Sequence, residues 1–407
     1  MRLNKNLAIL LSGQLVSQLG DKFYLLALSF WVLEATQSAS MMGIVLFCSL
    51  FPEVVSGVLA GAIVDRYSRK WIIVATDLIR GGIVLGLSLL FYFDQVALVW
   101  IIIAQVLLSI STAFFNPCIP AVIPQIVKQE NLAKANSQTQ LIRGISTVLG
   151  PVLGGISVAA FGYLFVFVFN GLSFIISGVC ELFLTIPEEK QHSKASGLVD
   201  DVKEGIHYII KEKSLLTLLG FIAMIHFFVG SFQTITPVLA KVMTGVAVQN
   251  LGFIQTAFGL GMVFLSLVFG VKNLMHKRER FTLFVSVFFI GVVNVAISLL
   301  VFNGTESVFL YLVPFFVYGG SVILAVTAFR TLVQQVTPNK MAGRVFGVAF
   351  SVGDASIPMA MLIYGFLLDY FAVSYLLTIS GMSLMLLSVI FARKVQPISS
   401  MSSEVPA

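Results

Sequence analysis

Residues 41–93 carry two long apolar runs on either side of one short charged turn, and they read MMGIVLFCSLFPEVVSGVLAGAIVDRYSRKWIIVATDLIRGGIVLGLSLLFYF. Each run has about 20 residues, the length that an α-helix needs to cross the hydrocarbon core of a bilayer. The turn gathers Asp65, Arg66, Arg69 and Lys70 within six positions. The stretch therefore predicts two membrane-spanning helices joined on one side of the membrane.

The same alternation of apolar runs and short turns continues along the chain. Of its 407 residues, 58% are hydrophobic and 11% are charged, whereas a soluble domain carries about 25% charged residues. This composition excludes a soluble protein and predicts an all-α membrane protein with twelve transmembrane helices in two six-helix pseudo-repeats. The predicted spans lie near 8–33, 41–64, 71–93, 97–117, 138–160, 163–186, 214–240, 250–271, 281–302, 307–329, 341–368 and 373–392.

The distribution of Lys and Arg predicts the orientation of these spans. Loops that contain basic residues alternate with loops that contain none, and Lys241 is the one exception. Because basic loops stay on the cytoplasmic side, both termini are predicted to be cytoplasmic. The net charge of +6 follows from this arrangement, so no nucleic acid partner is expected.

One long polar stretch divides the chain. We predict an N-terminal six-helix bundle over 1–186, a cytoplasmic linker over 187–213, and a second bundle with a short cytoplasmic tail over 214–407. Within the linker, the helical spacing of apolar residues at 199–210 predicts a short amphipathic helix. Pro151 and Pro358 match at an offset of 207 residues, which favours a parallel repeat of the two halves.

The charged turn after the second span contains the residues of a recognisable motif, namely Gly61, Asp65, Arg66, Arg69 and Lys70. Their spacing resembles the loop signature of the major facilitator superfamily. The resemblance implies a conformational latch, in which the glycine allows close helix approach and Asp65 accepts hydrogen bonds from Arg69 or a helix N-terminus. The alternative is an ordinary basic turn on the cytoplasmic side.

A second motif lies in the fifth span and consists of Gly150, Pro151, Gly154 and Gly155. It resembles the antiporter signature of the same superfamily, although Ser146 stands where a glycine is usual. Small residues beside a proline produce a bend and a tight helix contact. The resemblance implies export, and the alternative is a kink that serves packing only.

Five further stretches resemble the macrolide and multidrug efflux carriers of the drug/proton antiporter branch: 13–17 (GQLVS), 113–117 (AFFNP), 123–127 (IPQIV), 130–136 (ENLAKAN) and 343–346 (GRVF). The resemblance implies a monomeric carrier in a bacterial inner (plasma) membrane. It also implies that lipophilic or amphipathic compounds, such as macrolide-like drugs, are exported in exchange for protons. Siderophore exporters and lysophospholipid movers look similar over these stretches, so both remain alternatives.

Ionisable residues inside the predicted spans are candidates for proton or substrate coupling, because charge is costly in hydrocarbon. They are Asp21, Glu53, Arg143 and Asp354. A carboxylate in a partly dry cavity can bind and release a proton near neutral pH, and Arg143 is expected to favour its ionised form in one conformation. Structural alternatives remain open: Asp21 pairs with Lys22, Glu53 binds backbone groups freed by Pro52, and Asp354 satisfies local polar groups.

Other residues receive structural interpretations. Asp77 and Arg80 are expected to form a local ion pair that supports the turn at Asp65, and Glu181 is expected to be solvated near the membrane interface. Several aromatic side chains are expected to line a lipophilic cavity or to face lipid: Phe23, Phe114, Phe115, Phe227, Phe228, Phe232, Phe315 and Phe316.

The sequence lacks a nucleotide-binding loop and any catalytic signature, so an ATP-driven pump and an enzyme are not expected. The histidines and cysteines have no metal-ligand spacing, so neither a metal nor a cofactor is expected. The expected partners are the lipid bilayer, a lipophilic small molecule and protons. From another class, a transport-dead membrane sensor or scaffold on the same fold remains an alternative.

Overall fold

A computed structural model describes residues 5–64, 66–186, 206–272, 278–337 and 342–394. The helices are α1 (Lys5–Thr36), α2 (Ala39–Val64), α3 (Arg69–Tyr92), α4 (Leu98–Ile126), α5 (Leu132–Leu182), α6 (206–211), α7 (Lys213–Gly230), α8 (Phe232–Lys241), α9 (Ala247–Lys272), α10 (Glu279–Phe302), α11 (Phe309–Val336), α12 (Ala342–Tyr370) and α13 (Val373–Lys394). A 3-10 turn at Gln129–Asn131 precedes α5.

Ten helical stretches of the described chain are long and apolar enough to cross a membrane. One of them contains α5, whose 51 residues measure about 77 Å at 1.5 Å per residue, more than twice the hydrocarbon thickness of about 30 Å. Gly162 breaks α5 with a φ of +79°, a left-handed conformation that glycine adopts at little cost. The first arm (132–161) and second arm (163–182) are therefore two spans. Helix α1 has 32 residues, which is long enough to be the twelfth span.

Several boundaries differ from the sequence prediction. Helix α11 continues to Val336, past the predicted end at 329, and α5 begins at Leu132, before the predicted start at 138. Helix α4 continues to Ile126 through three prolines, whereas the fourth span was expected to end at 117; neighbouring groups can satisfy backbone atoms that proline leaves free. The span predicted at 214–240 consists of α7 and α8, which meet at Ser231. The hydroxyl of Ser231 donates to the carbonyl oxygen of Phe228 at 2.6 Å, a local bond that competes with the helical pattern.

The described helices belong to two compact units. The N-terminal unit comprises Met1–Lys194 and Gly245–Thr256. In it, α1 packs against α5, α3 packs against α4 and α5, and α2 packs against α4. Its apolar core includes Leu10, Ile73 and Cys118, none of them exposed.

The C-terminal unit comprises Ala195–Thr244 and Ala257–Ala407. Here α10 packs against α11 and α13, and α12 packs against α7. The ring of Phe232 stacks on that of Phe258 with a centroid separation of 4.6 Å. Of the predicted linker, 187–205 lie outside the described residues, while α6 occupies part of the expected amphipathic helix. The domain boundaries at 186 and 214 stay a prediction.

Candidate functional site

A buried polar surface joins α1 to the second arm of α5. On α5, the polar stripe consists of Asn170, Ser173, Ser177 and Glu181, whose spacing of three and four residues places them on one helix face. None of the four is more than 2% exposed. Burying these polar groups in an otherwise apolar helix costs free energy, so they require partners on the facing helices.

Helix α1 meets the polar stripe with its backbone. A Cβ atom on Gly20 would lie 2.5 Å from Oγ of Ser173 and 2.7 Å from Oδ1 of Asn170, so a larger residue would displace both polar side chains. A Cβ on Gly13, two turns earlier, would lie 2.8 Å from Oγ of Ser177. The lack of side chains at these two positions brings α1 within contact distance of the stripe along its length.

Asp21 lies at one end of this interface. Its side chain is half-buried, its neighbour on α5 is Asn170, and Arg80 and Asp77 of α3 lie within electrostatic range. The adjacent Lys22 is exposed. Asp21 therefore faces the polar groups of α3 and α5 as well as Lys22, which was its expected partner under the structural alternative.

Glu53 is half-buried in α2 and bonds to α4 at two points. Its Oε1 accepts a hydrogen bond of 2.6 Å from Nδ2 of Asn116, and its backbone N–H donates to the hydroxyl oxygen of Ser109 at 2.8 Å. The hydroxyl of Ser109 therefore bonds to the backbone beside Pro52. In the alternative drawn from the sequence, the Glu53 carboxylate was expected to bond to that backbone. The carboxylate bonds instead to a neutral carboxamide.

The other two coupling candidates are exposed. Asp354 of α12 keeps 60% of its side chain accessible, and Nδ1 of His226 in α7 lies 3.9 Å from its Oδ1. The sequence analysis named Asp354 without this partner. The side chain of Arg143 is exposed on the first arm of α5, and no ion pair of the described residues joins it to Asp21 or Glu53.

A fourth carboxylate, Glu181, was misjudged from the sequence. Glu181 was expected to be solvated, but it is fully buried at the end of the polar stripe. The expected ion pair between Arg80 and Asp77 does form, and both residues are buried in the helix packing, 4% and 0% exposed. Asp65 lies outside the described residues, so the support of its turn by this pair stays a prediction. The burial of Glu181 could have been predicted from the sequence, because its spacing places it on the same helix face as the three other polar residues of the stripe.

The comparisons with known proteins agree with this architecture. A family model, the Major Facilitator Superfamily, matches residues 10–361. The chain belongs to the Major Facilitator Superfamily. This is a family of membrane transporters, so the chain is a multi-pass transport protein and not an enzyme.

Two relatives confirm the resemblance to efflux carriers of the family. Macrolide efflux protein A of Streptococcus pyogenes is 22% identical over 381 residues, which cover 93% of each chain. The multidrug efflux pump Tap of Mycobacterium tuberculosis is 25% identical over 379 residues, covering 89% of this chain and 86% of Tap.

A solved structure confirms the fold. The crystal structure of a peptide transporter POT in complex with sulfate superposes with a TM-score of 0.76 over 98% of this chain and 96% of that chain. Its sequence identity is 12%. The all-α major facilitator fold with twelve spans, which the sequence predicted, is thereby confirmed.

The latch motif of the superfamily is only partly described. Asp65 lies outside the described residues, Arg66 is exposed, and the Nζ atom of Lys70 lies 5.6 Å above the ring of Trp71. A Cβ on Gly61 would meet no described atom within 4 Å, so the described residues do not show the close approach expected at this glycine. The latch role of the motif stays a prediction.

The antiporter-type motif of the superfamily packs closely on two neighbours. A Cβ on Gly150 would lie 2.4 Å from Cβ of Lys22, and one on Gly154 would lie 3.0 Å from Cα of Phe23. A Cβ on Gly155 would lie 2.7 Å from the carbonyl oxygen of Val248 at the start of α9. Pro151 lies inside α5, so this part of the first arm combines a proline with two tight helix contacts.

Several aromatic residues expected to line a cavity or face lipid lie in the core. Phe23, Phe115 and Phe232 are each 7% exposed and Phe315 is 2% exposed. Phe23 stacks on Phe169 at 5.4 Å. These rings stabilise helix packing, so they do not support a lipophilic lining.

Proposed function

We propose that this transporter exports lipophilic or amphipathic compounds, macrolide-like drugs among them, in exchange for protons by alternating access. The macrolide and multidrug efflux proteins that resemble it over most of its length support this substrate class. The proposed location is a bacterial plasma membrane with both termini in the cytoplasm, and the proposed state is a monomer.

The observation that carries the proposal is the position of Glu53. A carboxylate half-buried in a membrane-spanning helix is costly, and such residues often mark a substrate or proton pathway. Asn116 donates to Oε1 of Glu53 at 2.6 Å, and a neutral donor can keep this bond whether or not the other oxygen carries a proton. Glu53 can therefore change its charge without losing the contact that positions it.

Asp21 is the second carboxylate that we assign to coupling. It is half-buried and lies beside Asn170 on the polar stripe. A cationic or protonated cargo and a proton can compete for such a group, and this competition would link export to the proton gradient.

The proposal is tested in inverted membrane vesicles that carry an imposed proton gradient, reported by a pH-sensitive fluorescent dye. We expect macrolides or lipophilic cationic dyes to dissipate the gradient in wild-type vesicles. Glu53→Gln or Asp21→Asn should abolish this response. Glu130→Gln is the matched control, because Glu130 is exposed in the turn before α5, and it should behave like the wild type.

Other outcomes select the alternatives. If no compound of a broad panel releases protons while a labelled lysophospholipid still moves, the drug-exporter proposal is wrong and the lipid mover replaces it. Proton release driven by a ferric siderophore alone would select the siderophore exporter. Absence of any transport in correctly folded protein would favour the sensor or scaffold.

A further inference from the structure

Asp77, Arg80 and Glu181 form a charged cluster inside the helix packing of the N-terminal unit. Asp77 and Arg80 lie on α3, and Glu181 lies on the second arm of α5. Their exposed fractions are 0%, 4% and 0%. The cluster contains two carboxyl groups and one guanidinium, so the charges balance only if one carboxyl group carries a proton.

The surroundings of the cluster exclude water. The guanidinium carbon of Arg80 lies 4.2 Å from the ring centroid of Phe115 and 4.6 Å from that of Phe174. Arg80 donates to Oδ1 of Asp77 and through Nε to the carbonyl oxygen of Thr76 at 3.4 Å. An aromatic face stabilises a cation without neutralising it, so Arg80 keeps one full positive charge beside Asp77.

Among the described residues, Arg80 is the cation that acts on both Asp77 and Glu181. Helix α4 contains no charged residue, and Lys134 and Arg143 of the first arm of α5 are exposed. From α1, the group within electrostatic range is Asp21, which would add negative charge, while Lys22 is exposed. An unbalanced buried charge carries a large desolvation penalty.

The contact between the two acids shows where a proton belongs. Asp77 packs against the face of α5 that carries Glu181, since its Cβ lies 3.3 Å from the place that a Cβ on Gly178 would take. The carboxyl groups of Asp77 and Glu181 are thus close enough to interact, and two carboxyl groups can share a hydrogen bond only when one of them is protonated. Oδ2 of Asp77 and Oε2 of Glu181 are both buried and receive no hydrogen bond from the described donors. The hydroxyl of Ser177 lies 3.4 Å from Oε1 of Glu181.

We infer that Asp77 and Glu181 form a proton-binding site, in which the two acids share one proton and Arg80 balances the remaining charge. The polar stripe lies between this site and the half-buried Asp21, and its hydroxyl and carboxamide groups can both donate and accept hydrogen bonds. The assignment of this proton to transport rests on the proposed function, whereas its binding does not.

The site is tested by infrared spectroscopy of the full chain in lipid nanodiscs at neutral pH, because a protonated carboxyl group has a carbonyl stretch at higher frequency than an ionised one. The spectrum of the wild type minus that of Glu181→Gln should contain one protonated band. Asp77→Asn should lose the same band, because Glu181 then ionises and pairs with Arg80. Arg80→Gln should gain a second band, because both acids then become neutral.

Each variant keeps a balanced cluster and is expected to fold, which gel filtration and thermal unfolding will verify. Glu130→Gln should leave the protonated bands unchanged. The inference is overturned if the difference between the wild type and Glu181→Gln shows only ionised carboxylate. It is equally overturned if Asp77→Asn keeps the protonated band, because the two acids would then not share one proton.

The vesicle assay separates this inference from the proposed function. Loss of both the protonated band and drug-driven proton release in Glu181→Gln would support a coupling role for the site. Loss of the band with unchanged proton release would overturn the coupling role alone. If no compound drives proton release in the wild type while the band is present, the proposed function fails and the proton-binding site stands.

Discussion

The backbone N–H of Glu53 donates a hydrogen bond of 2.8 Å to the hydroxyl oxygen of Ser109, which joins α2 to α4 beside Pro52. Ser109 is 2% exposed, so Ser109→Ala should leave a backbone donor without this partner in a dry environment. We expect the free energy of unfolding to fall by about 1–3 kcal/mol. Equilibrium unfolding in mixed micelles, followed by a thiol-reactive dye at the buried Cys118, measures the change.

The control for this variant is Ser88→Ala. Ser88 is 3% exposed and its hydroxyl donates at 2.8 Å to Val84, within its own helix. Its loss should cost less, because the carbonyl oxygen of Val84 also belongs to the backbone ladder of α3. Equal losses in the two variants would contradict the role that we assign to Ser109.

The contact of the antiporter-type motif with α9 predicts a large effect of a single methyl group. Gly155→Ala would place Cβ 2.7 Å from the backbone oxygen of Val248, and a backbone atom cannot move aside as a flexible side chain does. We expect a loss of about 1–3 kcal/mol in the free energy of unfolding, as for other overpacked sites.

Gly144→Ala is the matched control in the same arm of α5, since its Cβ would meet no described atom within 4 Å. Alanine favours a helix over glycine by about 0.5–1 kcal/mol, so this variant should be neutral or more stable. A Gly155→Ala protein as stable as Gly144→Ala would show that α5 and the start of α9 separate at no cost.

The bond between Asn116 and Glu53 predicts a loss of transport. Asn116→Ala removes the 2.6 Å bond to Oε1, and hydrogen bonds to charged groups contribute about 1.5–3 kcal/mol. We expect drug-driven proton release in inverted vesicles to slow by about tenfold or more, since 1.4 kcal/mol corresponds to a factor of ten.

Thr112→Ala is the control for this effect. Thr112 lies one turn before Asn116 in α4, and its hydroxyl donates at 2.9 Å to Leu108 of the same helix. Proton release should stay near the wild-type rate in this variant. If both substitutions slow release equally, the effect belongs to α4 as a whole and not to the positioning of Glu53.

A double-mutant cycle tests the buried bond between α1 and α4. Nε2 of Gln105 donates to the hydroxyl oxygen of Tyr24 at 2.5 Å, and the two residues are 2% and 4% exposed. Tyr24→Phe and Gln105→Leu should each reduce the free energy of unfolding by about 1–3 kcal/mol, because each leaves a buried polar group unpaired. Additive losses in the double variant would mean that the two residues do not interact.

In the double variant both polar groups are absent, so the loss should be smaller than the sum of the single losses. The expected coupling free energy is about 0.5–3 kcal/mol.

The predicted spans agree well with the helices because bilayer thickness sets their length. The second span was predicted at 41–64 and the helix is Ala39–Val64. The break expected between 160 and 163 lies at Gly162. The end of α4 was predicted too early, because prolines usually end helices in water, and the support that neighbouring helices give to a proline-containing helix is not visible in one sequence.

The exposure of the charged residues inside the spans was not predicted correctly from the sequence. Asp354 and Glu181 both stand in apolar runs; the first was named as a coupling candidate and the second was set aside as solvated. The structure leaves 60% of the Asp354 side chain exposed and buries Glu181 completely. An apolar helix is hydrophobic on all sides, so its sequence gives little information about which face meets another helix.

By itself the sequence determined that this protein is a membrane carrier with twelve spans, because hydrocarbon demands long apolar helices whose backbone groups bond internally. The sequence also identified most of the charged residues inside the spans, whose placement in hydrocarbon costs free energy. Only the tertiary structure decided which of them meet. Asp77, Arg80 and Glu181 come from helices that are about 100 residues apart in the sequence, and their shared burial depends on helix packing, which small residues such as Gly20 permit.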